Sequence, residues 1–291
     1  KTVSVTDRAL NFIQKQNQSG NPFYLQVSYY ATHVDIQTTD LAYRKYLLKN
    51  KGEVHDNPGF AGMLEDLDKG IGRIMDKLKE LGMEENTYII YMTDNGGVPL
   101  IPPQPVKNKM DHPSTVNKKM YNYPLRGGKW VLYEGGIRIP FIIRGPEIEA
   151  GVFCNVPVAG YDLIPTLSDL AGNKQSLPEY LEGGSLRPLF SNAKNGKVNR
   201  KEDAFYFHRY NHAYKHSAII DGKYKLVKIW ENNTVELYDL EKDLEEVHNI
   251  AGEMPELAEK LESKLMAYLE KVHSEALYPP VQSRRREGIK Q

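Results

Sequence analysis

The sequence predicts an α/β fold: a mostly parallel sheet flanked by helices, followed by a smaller C-terminal antiparallel sheet with one helix. Three observations point to it. Residues 1–182 alternate amphipathic helical stretches with short runs of β-branched and aromatic residues, the order of a layered α/β domain. Two of those runs, TYIIYM (87–92) and IPFIIRGP (139–146), are apolar on both faces, as strands are inside a sheet covered by helices. Over 183–291 the pattern changes to short strands joined by turn residues, which marks a second, smaller unit.

Each element has its own signal. From Thr6, TDRALNFIQKQ sets a polar cap before Ala9, Leu10, Phe12 and Ile13, opening an amphipathic helix that ends near NQSGNP. FYLQVSYY (23–30) reads as a strand. Phe60, Leu64, Leu67, Ile71, Ile74, Leu78 and Leu81 recur at helical spacing and predict a long helix over 58–81. Residues 98–124, rich in Pro, Asn and Lys, form a long irregular excursion of the kind that is usually functional or mobile. YDLIPTLSDLAG (161–172) is a helix closed by Gly172. In the second unit AFYFHRY, HSAIIDGKYKLVKIW and TVELYDL are hairpin strands turning at Asp221-Gly222 and Asn232-Asn233. The last element (254–277) sets Leu257, Leu261, Leu265 and Leu269 four apart behind Pro255, a helix packed on that sheet.

The bulk numbers exclude several classes. The 291 residues carry 38 Lys+Arg and 38 Asp+Glu, so no global charge draws the chain to nucleic acid or an acidic membrane, and a charged ligand must be met locally. The single cysteine, Cys154, allows neither an internal disulfide nor a cysteine zinc cluster. No apolar stretch approaches the roughly 20 residues that span a bilayer. Asn17 and Asn232 sit in N-x-Ser/Thr triplets, which also arise often by chance.

Three segments carry candidate chemistry. In YIIYMTDNGG a buried run ends in Asp94 and Asn95, whose adjacent oxygens suit a hard cation, with Gly96 and Gly97 free to turn around it. On this stretch alone a turn explains the residues equally simply. His33 follows the 23–30 strand and falls near the same sheet edge if both strands run parallel, though a lone histidine is usually structural. In PLRGGKWVLYEGGIRIPF (124–141) two Gly-Gly pairs flank Lys129, which close backbone approach could hold against an anion; the alternative is a glycine hinge with an exposed lysine.

Together these segments resemble the formylglycine-dependent sulfatases, the arylsulfatase-like branch of the alkaline phosphatase superfamily. The likeness runs in order through TDRALNFI, NPFYLQVSYYATH, YMTDNGG, PLRGGKWVLYEGGIRIPFIIRGP, YDLIPTLSDLAG, GGSLRPLF and AIIDGKYKLV…ELYDLEKDLEEVHNIA. The resemblance implies an alkaline phosphatase-like fold and a sulfuric ester hydrolase. Asp94 and Asn95 would ligate Ca²⁺, with Mg²⁺ the lesser candidate, and Lys129 would neutralise growing sulfate charge. His33 would bind sulfate and help protonate the leaving sugar oxygen. Glu134 and Arg138 would hold the glycine loop, and Arg126 could serve either scaffold or substrate. His208, Arg209, His212 and His216 would offer substrate contacts at the smaller unit, aided by Lys107, Lys109, Lys118 and Lys119 if the long loop folds over the site; a polar edge strand is the alternative.

Departures from the family pattern shape the rest. No Cys/Ser-x-Pro/Ala-x-Arg motif, the source of the formylglycine nucleophile, occurs here, and Cys154 lies in CNVPV. The upstream Asp pair of the metal site, and the Lys and His that serve the nucleophile, are also missing. By this comparison the chain is the C-terminal part of a sulfatase whose remaining N-terminal portion carries them. Val34 and Asp35 follow His33 where relatives often have a proline one residue further on. The expected substrate is a sulfated carbohydrate, with phosphate or phosphonate ester hydrolysis, or non-catalytic carbohydrate binding, as alternatives. Family resemblance favours a periplasmic or secreted location.

Overall fold

The computed structural model describes residues 1–101, 106, 111, 121–173, 175–211 and 214–279. They form two compact units, Lys1–Tyr123 with Ile139–Arg200, and Pro124–Arg138 with Lys201 onward. Leu186, Leu189, Phe190 and Val198 cluster with Tyr88, Phe141 and Ile143 of the first unit.

In the first unit, α1 (Thr2–Ser19) buries Thr6, Ala9 and Ile13 and ends at Gly20, whose φ of 67° and N–H bond to the Gln16 carbonyl close the helix. α2 (Asp40–Leu47) is capped by Thr39, and α3 (Pro58–Glu80) by Asn57, whose side chain accepts from Phe60 N at 3.0 Å. Gly70 of α3 lets α1 approach, since a Cβ there would lie 2.7 Å from Thr6 Oγ1. Asp66 of α3 accepts from Thr38 Oγ1, Thr39 N and Thr39 Oγ1 at 2.7, 2.8 and 3.0 Å, fastening the chain between the first extended segment and α2.

The α/β character holds, but the strand pairing differs from expectation. β1 (Ile89–Met92) pairs antiparallel with β2 (Phe141–Arg144), not parallel. Residues 23–30 keep the period-2 alternation of a strand: Phe23, Leu25, Val27 and Tyr29 are half-buried while Tyr24, Gln26, Ser28 and Tyr30 are exposed. They join no ladder among the described residues, so this segment is extended chain rather than a sheet member. Its anchor is a side chain, Tyr29 OH lying 2.9 Å from Thr6 Oγ1.

The second unit opens with the loop that carries α4 (Glu134–Ile137), a single turn. After α5 (Leu163–Leu170) of the first unit, the chain returns to build an antiparallel sheet ordered β3 (Phe205–Asn211), β4 (Tyr214–Asp221), β5 (Tyr224–Ile229), β6 (Thr234–Asp239). Gly222, φ 61°, turns β4 into β5. One sheet face, with Ile219, Leu226 and Leu237, packs on Ala258, Leu261, Leu265 and Leu269 of α6 (Pro255–Lys271). The opposite face, with Ala218, Val227 and Tyr238, packs on Leu132 and Tyr133 of the loop. Both faces are therefore covered. No described helix is long and apolar enough to cross a membrane.

Candidate functional site

β1 ends at Met92 and the chain leaves it through Thr93 and the Asp94–Gly97 run. Thr93 Oγ1 donates to the Asn95 carbonyl at 3.2 Å, and Asn95 Nδ2 donates to the Gly96 carbonyl at 2.8 Å. That bond leaves Asn95 Oδ1 without a donor among the described residues. Asp94 is exposed, and its carboxylate has neither hydrogen bond nor ion pair among them. Neither Gly96 nor Gly97 has a left-handed φ. Gly97 is required by close approach instead: a Cβ there would lie 3.0 Å from Asn122 Oδ1.

His33 is exposed, and its Nδ1 lies 2.6 Å from the Val34 carbonyl. A carbonyl only accepts, so Nδ1 carries the proton and Nε2 is left to solvent or ligand. The segments bearing His33 and Asp94 rest on one apolar cluster. Ile36 and Ala31 come from the first, Val98 and Ile101 from the second, with Met63 and Phe60 of α3 and Tyr121 between them. Within the first unit, shared packing rather than a parallel sheet edge brings the two segments together.

In the second unit Lys129 is half-buried in the glycine loop. Its ammonium has no carboxylate partner among the described residues, and it lies 5.9 Å from the Trp130 ring centroid. Trp130 is 44% exposed and has φ 86°, a left-handed conformation that strains a bulky residue by about 1–3 kcal/mol. The glycines around it are sterically required. A Cβ on Gly127, itself at φ 73°, would lie 2.5 Å from Val131 Cγ2, and one on Gly135 would lie 2.5 Å from the Arg126 carbonyl.

A buried charge network fixes this loop to the sheet. Lys225, fully buried, lies 3.0 Å from Glu134 Oε1 and 2.7 Å from Glu246 Oε1, the latter as an ion pair off the hydrogen-bonding direction. Glu246 Oε2 accepts from Glu134 N at 2.6 Å, and Arg138 reaches Glu134 Oε2 at 3.3 Å. Burial raises the Glu246 carboxyl above its usual range against the opposing pull of Lys225. Arg126 belongs to the same scaffold. Its Nη1 meets Tyr238 OH at 2.6 Å, Glu236 Oε2 at 3.1 Å and the Glu246 carbonyl at 3.3 Å, while its guanidinium stacks 3.8 Å from the Tyr133 ring centroid. All three bonds come from Nη1 and tie Arg126 to the fold.

Strand alternation separates the β3 candidates. His208 lies on the α6 side, between Ser217 Oγ at 2.7 Å from Nδ1 and Glu275 Oε2 at 3.5 Å from Nε2, and burial lowers its pKa against the pull of Glu275. That is an internal position. Arg209 projects to the opposite, loop-bearing face beside its cross-strand partner His216, and both Arg209 Nε and His216 Nδ1 are buried without a hydrogen-bond partner among the described residues. His212, Lys107, Lys109, Lys118 and Lys119 lie outside the described residues. Two residues escaped the sequence reading. Trp130 had a visible signal, an aromatic directly after Gly-Gly-Lys; Asn122 had none, because only tertiary contact shows what it holds.

The family model described as Sulfatase matches residues 1–173, more than half of the chain. The chain belongs to the sulfatase family. A second model of that lineage, N-sulphoglucosamine sulphohydrolase, C-terminal, matches residues 128–275. A sulfatase of Formosa agariphila is 28% identical over 295 residues, covering 92% of this chain and 50% of that protein. The crystal structure of Ps i-CgsB, which has also been solved in complex with k-i-k-neocarrahexaose, superposes with a TM-score of 0.75 at 28% identity over 96% of this chain and 56% of the other. The structure of BT4656 in complex with its substrate D-glucosamine-2-N,6-O-disulfate gives a TM-score of 0.54 at 25% identity over 83% of this chain and 46% of the other. The chain thus spans about half the length of the sulfatases it matches.

Proposed function

We propose that this chain supplies metal-binding and sulfate-binding groups of a sulfuric ester hydrolase acting on a sulfated carbohydrate, with the nucleophile contributed from outside these 291 residues. The observation that carries the reading is the pairing of Asp94 and Asn95. Two adjacent side-chain oxygens, left unpartnered among the described residues while neighbouring polar groups are bonded, form a donor set for a hard cation. Among the described residues no group of three or more acidic, histidine or cysteine side chains completes a metal centre, so the pair fits Ca²⁺ in kind and supplies part of its shell. Calcium bound there would contribute positive charge opposite the ester oxygens.

The chain's own groups then have separable tasks. Lys129, lacking an acidic partner among the described residues, neutralises charge that accumulates on sulfate oxygens in the transition state. His33, with Nδ1–H committed to Val34, presents Nε2, which in the imidazolium form of the ring donates its proton to the leaving sugar oxygen, which otherwise departs as a poor alkoxide. Trp130 offers an exposed flat face beside Lys129 on which a pyranose ring can stack, and Arg209 a second cation for an anionic sugar. The carbohydrate ligands of Ps i-CgsB and BT4656 support that substrate class.

Groups of these kinds also bind tetrahedral phosphorus, so phosphate or phosphonate ester hydrolysis is the competing reading. Turnover of nitrophenyl sulfate and nitrophenyl phosphate by the full-length protein separates them. Faster sulfate turnover is expected; faster phosphate turnover overturns the assignment. Absence of turnover with retained binding of sulfated oligosaccharide would favour a non-catalytic carbohydrate-binding protein.

A further inference from the structure

We infer that Asn122 is a positioning residue for the metal loop, its side-chain amide clamping the Gly97 peptide so that Asp94 and Asn95 are held ready for the cation. The inference rests on the reading of that pair as metal ligands.

Both polar atoms of Gly97 end on one side chain: its N–H donates to Asn122 Oδ1 at 3.1 Å and its carbonyl accepts from Asn122 Nδ2 at 2.8 Å. The amide acts as an extra peptide unit in a short ladder, which Tyr121 N extends by donating to the Pro99 carbonyl at 3.1 Å. Only an amide has donor and acceptor at this spacing, and only a glycine at 97 permits the approach, given the 3.0 Å that a Cβ would leave to Oδ1. The clamp is itself anchored. Tyr121 is 8% exposed and packs with Ile36, Met63 and Ile101, its ring 5.2 Å from Phe60, and burial near Asp56 pushes its phenol up to about 12, so it stays neutral.

The consequence concerns pre-organisation. Among the described residues the side chains of Asp94 and Asn95 have no support from the rest of the unit, for the bonds of this turn run within Thr93–Gly96. Without Asn122 the turn would keep, among the described residues, β1 before it and the packing of Val98 and the Tyr121–Pro99 bond after it, and the loop would sample geometries in which the two oxygens diverge. Ordering them at the moment of binding would then reduce cation affinity.

The test uses the full-length protein with calcium as the probe, by titration calorimetry on metal-stripped samples. Asn122→Ala is expected to weaken calcium binding about 10–100-fold, while the melting temperature of the metal-free protein changes little and hydrogen exchange of the Gly97 amide accelerates. Asn122→Asp, which can accept from Gly97 N but cannot donate to its carbonyl, should fall between wild type and alanine. Gly97→Ala, which crowds the clamp without removing it, keeps the inference testable if Asn122→Ala fails to fold, and should weaken calcium binding in the same direction. Wild-type calcium affinity in Asn122→Ala or Gly97→Ala, or unchanged exchange at Gly97, overturns the inference. The metal reading fails separately, if Asp94→Ala binds calcium as wild type does.

Discussion

The Asp94 loop and the Glu134–Lys225–Glu246 network are both clusters of charge and amide groups, yet they are finished in opposite ways. In the network every charge meets an opposite one: Lys225 bridges two carboxylates, one of which also takes Arg138 and the other a backbone N–H. In the loop the backbone is bonded and the ligand-type oxygens are left over. Such saturation deep in a unit fixes shape, because an unpaired buried charge would be strongly destabilising. Unpartnered oxygens at an exposed turn do nothing for folding, which is why they read as binding groups. The contrast predicts that substitutions in the two regions fail differently: one should lose function in a folded protein, the other should lose the fold.

The largest functional effects should come from the unsaturated side. Asp94→Ala is expected to abolish calcium uptake measured by elemental analysis while far-ultraviolet circular dichroism is unchanged. Lys129→Ala should lower kcat by about 10²–10³-fold, the range for removing one transition-state charge stabiliser; near-wild-type kcat would leave Lys129 as an ordinary loop lysine. On the saturated side, Lys225→Met should destabilise by about 3–5 kcal/mol, because Glu134 and Glu246 would be buried without their cation. Urea unfolding midpoints read this directly. A stable Lys225→Met with poor catalysis would break the comparison.

Smaller effects sharpen it. Burial lowers the pKa of both His208 and His216 below the ordinary value of 6.5. The unfolded chain therefore binds protons that the native state does not, so their contribution to stability is full above pH 6.5 and is lost as pH falls through the lower native values. Thermal melts should show this fall below that pH, and His208→Gln should flatten it; an unaltered profile would place the acid sensitivity elsewhere. Trp130→Gly should relieve the strained φ yet raise KM for a sulfated oligosaccharide several-fold, with nitrophenyl sulfate little affected. Equal effects on both substrates would remove the stacking role.

Much of the second unit was legible in advance because its signals are local. Asp221-Gly222 turns where a hairpin needs it, and the four-residue leucine spacing of α6 meets the sheet with Leu261, Leu265 and Leu269 buried. The pairing of β1 was not legible. Its apolar residues report burial, and burial by an antiparallel β2, a helix or a parallel neighbour leaves the same pattern. Segment 23–30 shows the same limit, since period-2 alternation says which side chains are shielded and nothing of whether the backbone finds a ladder. Among the candidate residues, Asp94, Asn95, His33 and Lys129 were visible as residue types in a telling order. That Asp94 and Lys129 meet no opposite charge among the described residues was not, and neither were the internal bonds of Arg126 and His208.

The sequence by itself determined the sulfatase family, the α/β class and the short list of groups able to do the chemistry, because motifs and periodicities are properties of neighbouring residues. Tertiary structure decided which of those groups are spent. Arg126 is claimed by Tyr238 and Glu236, more than a hundred positions away, and the Gly97 peptide by Asn122. Hydrogen bonds act over about 3 Å whatever the separation along the chain, so only folding reveals which polar atoms remain for a ligand.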